Sequence, residues 1–333
     1  MNREIKRIAI VRLSALGDIV NSAVVVQFIK QKYPNAKIDW ITEEIFGDIV
    51  TIIEGVQEVH TINLKQLKRE KSFKLLKQNI SKLRTLGEYD SIIDMQGLLK
   101  SAIVARLIGK NTHGFDKDST RESLASLFYK TTSHIAYSQN IVKRNCGVVG
   151  DALGFTITDK MILEKKALFQ VTQSYQLCGK KRNIAFVIGA SWQSKIYPKE
   201  QFAKICNTLE EQTFIIWGNE SERADAEWIC KHSEYAELAP AMDLKELVAF
   251  ISHLDLVIGN DTGPTHIAWA QNIPSITLFG PTNRRMLYET PKNRAIESPS
   301  NVNIMKIDKN DFSIREIPYE KIIKEARRLL DGL

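Results

Sequence analysis

The chain has 333 residues, 44% hydrophobic and 26% charged, an ordinary balance for a folded protein of about two domains. Collagen-like repeats, coiled coil and wholesale disorder are excluded, and no window reaches the roughly 18 consecutive apolar residues of a membrane span. The net charge is +7, from 46 basic and 39 acidic residues, which favours anionic partners.

The N-terminus runs into a strand-like stretch over 8–13, with no apolar signal core or small-residue cleavage site, so a cytoplasmic location is expected. Further strands are predicted over 37–41, 59–62 and 91–94. Between them, Phe46, Ile49, Val50 and Ile53 have helical spacing, as do Phe73, Leu76, Ile80 and Leu83. The run from 65 to 84 carries eight basic residues, among them Lys65, Lys68 and Arg69, against one acid, Glu70. Such a run is either a solvated helix face or a patch for nucleic acid, a membrane surface or a phosphorylated substrate. It has no interleaved aromatic except Phe73, which is placed on the helix's apolar stripe, so no nucleic-acid partner is expected.

The pattern fades between about 154 and 182, read as a crossing between domains. Strands resume over 184–188, 213–217, 256–259 and 275–279. Pro198 opens a helix, Asp243 with Glu246 forms a capping box, and a final helix turns Ile322, Ile323, Ala326, Leu329 and Leu330 inward. Strands alternating with helices imply parallel sheets covered on both faces. The fold expected is α/β, with two Rossmann-like doubly wound domains facing a central cleft. The boundaries are 1–165, a crossing over 166–182, a second domain over 183–315, and a helix over 316–333 packing back on the first domain. Cys146, Cys178, Cys206 and Cys230 are scattered without a CxxC pair, so reduced thiols are expected rather than a metal site or disulfides.

Four turns that follow strands could carry chemistry. The first, 12–20, lacks the three glycines of a dinucleotide fingerprint and a Walker lysine, but places Asp18 where a strand turns into a helix. That aspartate is either a general base or a helix cap. The second, 259–266, has small residues and Pro264 ahead of a helix, which suits a phosphate at the helix N-terminus. Asp261 looks misplaced by charge there unless it bonds sugar hydroxyls, and His266 is either a ligand contact or a packing residue. The third, 189–198, offers Ser191 and Lys195 to a diphosphate. The fourth, 217–220, offers Glu220 to ribose hydroxyls. Asp116-Lys117-Asp118 matches a metal-holding DxD formally and is read as a coincidental loop.

In combination these motifs resemble the ADP-heptose:lipopolysaccharide heptosyltransferases. The marks are the SALGD turn at 14–18, DMQGLLKS at 94–101, THGF at 112–115, RESLASLFY at 121–129, DTGPTH at 261–266 and FGPT at 279–282. The second and fourth look particularly like family members that add the first heptose, rather than the second. The resemblance implies a GT-B fold and inverting, metal-independent transfer, with no cofactor. The implied donor is ADP-heptose. The implied acceptor is the Kdo of Kdo2-lipid A, on the anionic cytoplasmic face of the inner membrane. It makes Asp18 the general base. It gives Ser191 and Lys195 the diphosphate and heptose, Glu220 the ribose, and Trp217 and Met242 the adenine pocket. Asp261 takes heptose hydroxyls; Thr262, Gly263 and His266 take phosphates. Lys65, Lys68, Arg69 and Arg121 take the acceptor's anionic groups. One departure is Ala190 before Ser191, where the family has a second small hydroxyl residue. The rival readings are a sister enzyme adding a later heptose and a non-catalytic nucleotide-sugar or polyanion binder on the same fold.

Overall fold

A computed structural model describes residues 5–177 and 179–332, and Cys178 lies outside them. The chain divides between Gln170 and Val171 into two compact units. The first holds β1 (Arg7–Val11), β2 (Lys37–Glu43), β3 (Glu58–Ile62), β4 (Ser91–Asp94), β5 (Thr112–Phe115) and β6 (Thr131–Ser133). They form one sheet in the order β3-β2-β1-β4-β5-β6, parallel throughout. The second holds β7 (Asn183–Val187), β8 (Gln212–Ile216), β9 (Ala236–Leu238), β10 (Leu256–Asn260), β11 (Ser275–Phe279) and β12 (Asn293–Glu297). Its order, β12-β11-β10-β7-β8-β9, is again parallel and repeats the same winding. Each sheet therefore reverses direction once, between β1 and β4 and between β7 and β10. Ligands of open parallel sheets bind outside the carboxyl ends of the strands at such switch points.

Alternation along β1 explains its two buried faces. Ala9 and Val11 join Leu83, Val104, Ala105 and Ile108 in one core, while Ile8 and Ile10 are fully buried on the other face. Eight strands fall where apolar, β-branched runs predict them. The unpredicted β5, β6, β9 and β12 are short or polar, and three of them are sheet edges, where one neighbour fewer demands less apolar surface. The capping box is present: the Asp243 carboxylate accepts from the backbone of Lys245 and Glu246 at 2.8 Å, and Glu246 answers on the Asp243 N–H at 2.8 Å.

Two expectations are corrected. The final helix, Tyr319–Leu330, packs on the second unit: Ile322, Ile323, Ala326 and Leu329 share a core with Phe202, Ile205 and Ile276. Helix Lys199–Leu209 leaves an apolar groove there that the stripe fills, and Arg327 donates to the Thr208 carbonyl at 3.1 Å. Phe73 does not lie on a buried stripe. It is 68% exposed, with the Lys77 ammonium 4.9 Å from its ring. The basic run is two helices, Leu64–Glu70 and Phe73–Arg84, broken where Lys71 takes a left-handed conformation. Among the described residues no helix is long and apolar enough to cross a membrane, and Cys146, Cys206 and Cys230 are free thiols.

Candidate active site

In the first unit the switch point joins the turn after β1 to the turn after β4. Helix Leu16–Lys32 begins at Ala15, and Asp18 is its third residue. The Asp18 side chain is 28% exposed. One oxygen takes a hydrogen bond from Arg12 Nη2 at 2.8 Å, and the other faces the Ala15 N–H at 3.3 Å. Capping and positioning are thus served by the same carboxylate, which stays partly open to solvent. Arg12 is buried, and its Nη1 donates to the Met95 carbonyl in the turn after β4. Gln96 of that turn accepts the Leu13 N–H at 2.9 Å, so the DMQG segment clamps the SALGD segment.

The clamp is itself anchored by Asp94. Its carboxylate accepts from the Gln96 and Gly97 backbone at 2.8 and 3.2 Å and from the Tyr129 hydroxyl at 2.7 Å. Burial outweighs these bonds and pushes the Asp94 carboxyl above the usual carboxylate range. Gly97 sits at φ +66, and an added Cβ would stand 2.9 Å from the Phe115 ring, so the turn needs glycine. Lys100 reaches the Ser14 hydroxyl at 3.3 Å. Lys65, Lys68 and Arg69 are exposed on helix Leu64–Glu70, Arg69 beside Glu70 at 3.1 Å. Arg121 is exposed ahead of the 3-10 turn Ser123–Phe128.

The switch point of the second unit gathers the turns after β7 and β10. Asn260 pins them together: its side chain donates to the Ile188 carbonyl at 2.7 Å and accepts the Tyr197 N–H at 3.1 Å. Beside it lies a buried ion pair. Lys195 Nζ is 2.8 Å from Asp261 Oδ2, which also accepts from the Thr282 hydroxyl at 2.8 Å; Oδ1 faces His266 Nε2 at 3.0 Å. Burial alone would push the Asp261 carboxyl up. Lys195 and the His266 hydrogen bond outweigh it and hold that carboxyl well below the usual carboxylate range. This resolves the charge mismatch of an aspartate in a phosphate-type turn. His266 is buried with Nε2 spent on Asp261, so it stands behind the helix tip rather than open on it. The tip is formed by Thr262 and Gly263, where helix Gly263–Ala270 starts; the Thr262 side chain makes no capping bond.

Ser191 is exposed on the loop after β7. Trp217 donates from Nε1 to the Ala239 carbonyl at 2.9 Å, tying the turn after β8 to the segment carrying half-buried Met242. Glu220 is not brought to the site. It opens helix Glu220–Lys231 with its side chain 86% exposed, 4.0 Å from Arg223. Glu222, which the sequence reading missed, takes the inner position. Two residues along a helix rotate a side chain by roughly 200°. Its carboxylate accepts the Gly218 N–H at 2.8 Å, and a Cβ on Gly189 would collide with it. A pocket of about 510 Å³ opens here, walled by Glu222, Asn219, Lys199, Asp225 and Arg315. The second acid in a WGNESE stretch was the only signal available from sequence.

Asp116, Asp118 and His134 bring ligand atoms within 4.8 Å of one another. The Asp116 carboxylate accepts from the Asp118 backbone at 3.1 Å and meets His134 Nδ1 at 2.7 Å.

The chain matches the family described as glycosyltransferase family 9 (heptosyltransferase) over residues 80–310. It is 36% identical to lipopolysaccharide heptosyltransferase 1 of Campylobacter coli, across 97% of this chain and 98% of the relative. The heptosyltransferase 1 of Escherichia coli strain K12 is 27% identical across 91% and 96%. Among solved structures, E. coli heptosyltransferase WaaC with ADP-2-deoxy-2-fluoro heptose superposes with a TM-score of 0.78, covering 96% of this chain and 99% of that one at 24% identity. The paired Rossmann-like sheets are accordingly those of the GT-B fold. The chain belongs to glycosyltransferase family 9 and is a heptosyltransferase of lipopolysaccharide core synthesis.

Proposed function

We propose that this enzyme adds the first heptose of the inner core. It moves L-glycero-D-manno-heptose from ADP-heptose to the Kdo of Kdo2-lipid A, with inversion and without a metal ion, at the cytoplasmic face of the inner membrane. The observation that carries the reading is the Asp18 carboxylate: partly exposed at a switch point, and fixed by a buried arginine that is itself tied to the neighbouring turn. The name of the C. coli relative, which matches nearly end to end, supports the choice of first-heptose transfer. The donor analogue bound by WaaC supports the choice of donor.

Asp18 takes the proton of the acceptor hydroxyl as its oxygen bonds to the anomeric carbon and the bond to ADP breaks. General base assistance of this kind contributes roughly 10²–10⁴-fold. ADP departs with growing negative charge. The Thr262 and Gly263 end of helix Gly263–Ala270 meets that charge with backbone N–H groups and the positive end of the helix dipole. Lys195, held by Asp261, supplies the cation, and the pair faces the sugar and diphosphate, with Ser191 on the same loop. Trp217 and Met242 border the base, and Glu222 takes the ribose role in place of Glu220. Lys65, Lys68, Arg69 and Arg121 meet the acceptor's phosphates and carboxylates.

Mass-spectrometric detection of heptose transfer tests the reading, with Kdo2-lipid A and an already heptosylated acceptor offered side by side. Transfer only to the first is expected, unchanged in EDTA. Asp18→Asn is expected to lose about a hundredfold or more in turnover while still binding ADP-heptose. Near-normal turnover in Asp18→Asn would remove the base, and a strict divalent-ion requirement would turn attention to Asp116, Asp118 and His134.

A further inference from the structure

Ten large hydrophobic side chains stand exposed among the described residues, and four of them lie on two adjoining elements of the first unit. Leu99 and Ile103, one helical turn apart on helix Leu99–Ile108, are 37% and 39% exposed. Leu124 and Leu127, on the 3-10 turn Ser123–Phe128, are 62% and 78% exposed. In a 3-10 helix residues three apart eclipse, so these two leucines project together. The two elements pack against each other, and the Glu122 carboxylate accepts the Leu99 N–H at 2.7 Å. Helix Phe73–Arg84 packs against helix Leu99–Ile108, with Leu83 in the same core as Val104, Ala105 and Ile108, and its first residue is the exposed Phe73.

The surroundings are cationic. Lys100 and Arg106 are exposed on the helix that carries Leu99 and Ile103, and Arg121 is exposed just ahead of the turn that carries Leu124 and Leu127. Helix Phe73–Arg84, packed on helix Leu99–Ile108, adds exposed Lys74, Lys77, Lys82 and Arg84. Apolar side chains that protrude from a basic surface match an anionic bilayer. The aliphatic groups partition below the headgroups while the ammonium and guanidinium groups meet lipid phosphate. The patch lies next to the chemistry: Lys100, at the start of helix Leu99–Ile108, is within 3.3 Å of Ser14 in the turn that leads to Asp18.

We propose that Leu124 and Leu127, with Leu99 and Ile103 beside them, insert into the interfacial layer of an anionic membrane. They thereby present the Asp18 turn to an acceptor that stays embedded in lipid. The proposal rests on the heptosyl-transfer reading for its purpose, while the insertion itself is measured without turnover.

Flotation of the full-length protein with vesicles of phosphatidylethanolamine and phosphatidylglycerol, and with neutral phosphatidylcholine vesicles, is the direct assay. Burying one leucine is worth about tenfold in partition, so Leu124→Ser with Leu127→Ser is expected to weaken binding to the anionic vesicles about a hundredfold. Wild type is expected to bind neutral vesicles more weakly, by about fivefold for each cation engaged. The double variant is further expected to lose transfer to vesicle-embedded acceptor but to keep wild-type kcat/KM on a water-soluble acceptor fragment without acyl chains. Unchanged vesicle binding by the double variant overturns the proposal. So does an equal loss on the soluble fragment, which would make the leucines part of the reacting site, and so does a dimer that the two substitutions split while vesicle binding persists. Failure of wild type to transfer to either acceptor defeats the reaction assignment instead, and leaves the flotation result standing.

Discussion

Replacing Lys195 with methionine removes the cation from a buried pair while nearly preserving the volume of the side chain. At 2.8 Å, with an effective dielectric near 20, the pair's gross attraction is about 6 kcal/mol. Both side chains are about one-tenth exposed or less, so solvent screening takes little of it. Part of the attraction offsets the cost of burying the lysine, and the expected loss of stability near neutral pH is about 3–5 kcal/mol. The pH dependence gives a sharper signature. In the native protein the Asp261 carboxyl is held below its unfolded value, so its contribution is complete above about pH 4 and drains away only as the pH falls lower. Without Lys195, burial dominates and the carboxyl prefers its proton. The variant then loses stability as the pH rises, at up to about 1.4 kcal/mol per pH unit. His266 is the other ionisable group facing Asp261. The measurement is urea unfolding near pH 5 and near pH 8, followed by tryptophan fluorescence. Trp192, Trp217, Trp228 and Trp269 lie in the second unit, and only Trp40 in the first. Adding Asp261→Asn to the variant is expected to recover about 2 kcal/mol near pH 8. A loss below about 1 kcal/mol at both pH values, or one with no pH dependence, would refute the account of this pair.

Two other measurements follow from side-chain placement. In calorimetric titration with ADP, Glu222→Ala is expected to weaken binding about tenfold or more and Glu220→Ala less than about twofold, since Glu222 is half-buried on the pocket wall and bonded to the Gly218 backbone, while Glu220 stands in solvent; the reverse order would restore Glu220 to the ribose. Burial pulls the Lys165 ammonium down to about 7, so the unfolded chain holds more protons than the folded one above that pH. Stability of the first unit is therefore expected to rise from about pH 7 toward pH 10, and Lys165→Met to flatten the rise, as read by denaturant unfolding with Trp40 fluorescence.

Sequence alone determined the repeated winding, because each buried strand of a parallel sheet must be a short apolar run and each helix must show its stripe. It also placed Asp18, Lys195, Asp261 and Thr262 at strand ends, since a turn that follows a strand in such a fold opens at the carboxyl edge. What it left open was decided by contacts between residues distant along the chain. The partner of Asp261 is Lys195, one strand over across the switch point, and no local spacing announces that pairing. Whether Asp18 capped a helix or faced solvent depended on Arg12, whose own position is set by Met95 after β4. Glu220 and Glu222 are alike in composition and differ only in rotation about a helix axis. The final helix has one obvious apolar stripe, but two domains could have received it, and the groove beside helix Lys199–Leu209 is what selected the second. A hydrophobic pattern states that a surface is to be buried; which surface meets it is fixed only when the chain has closed on itself.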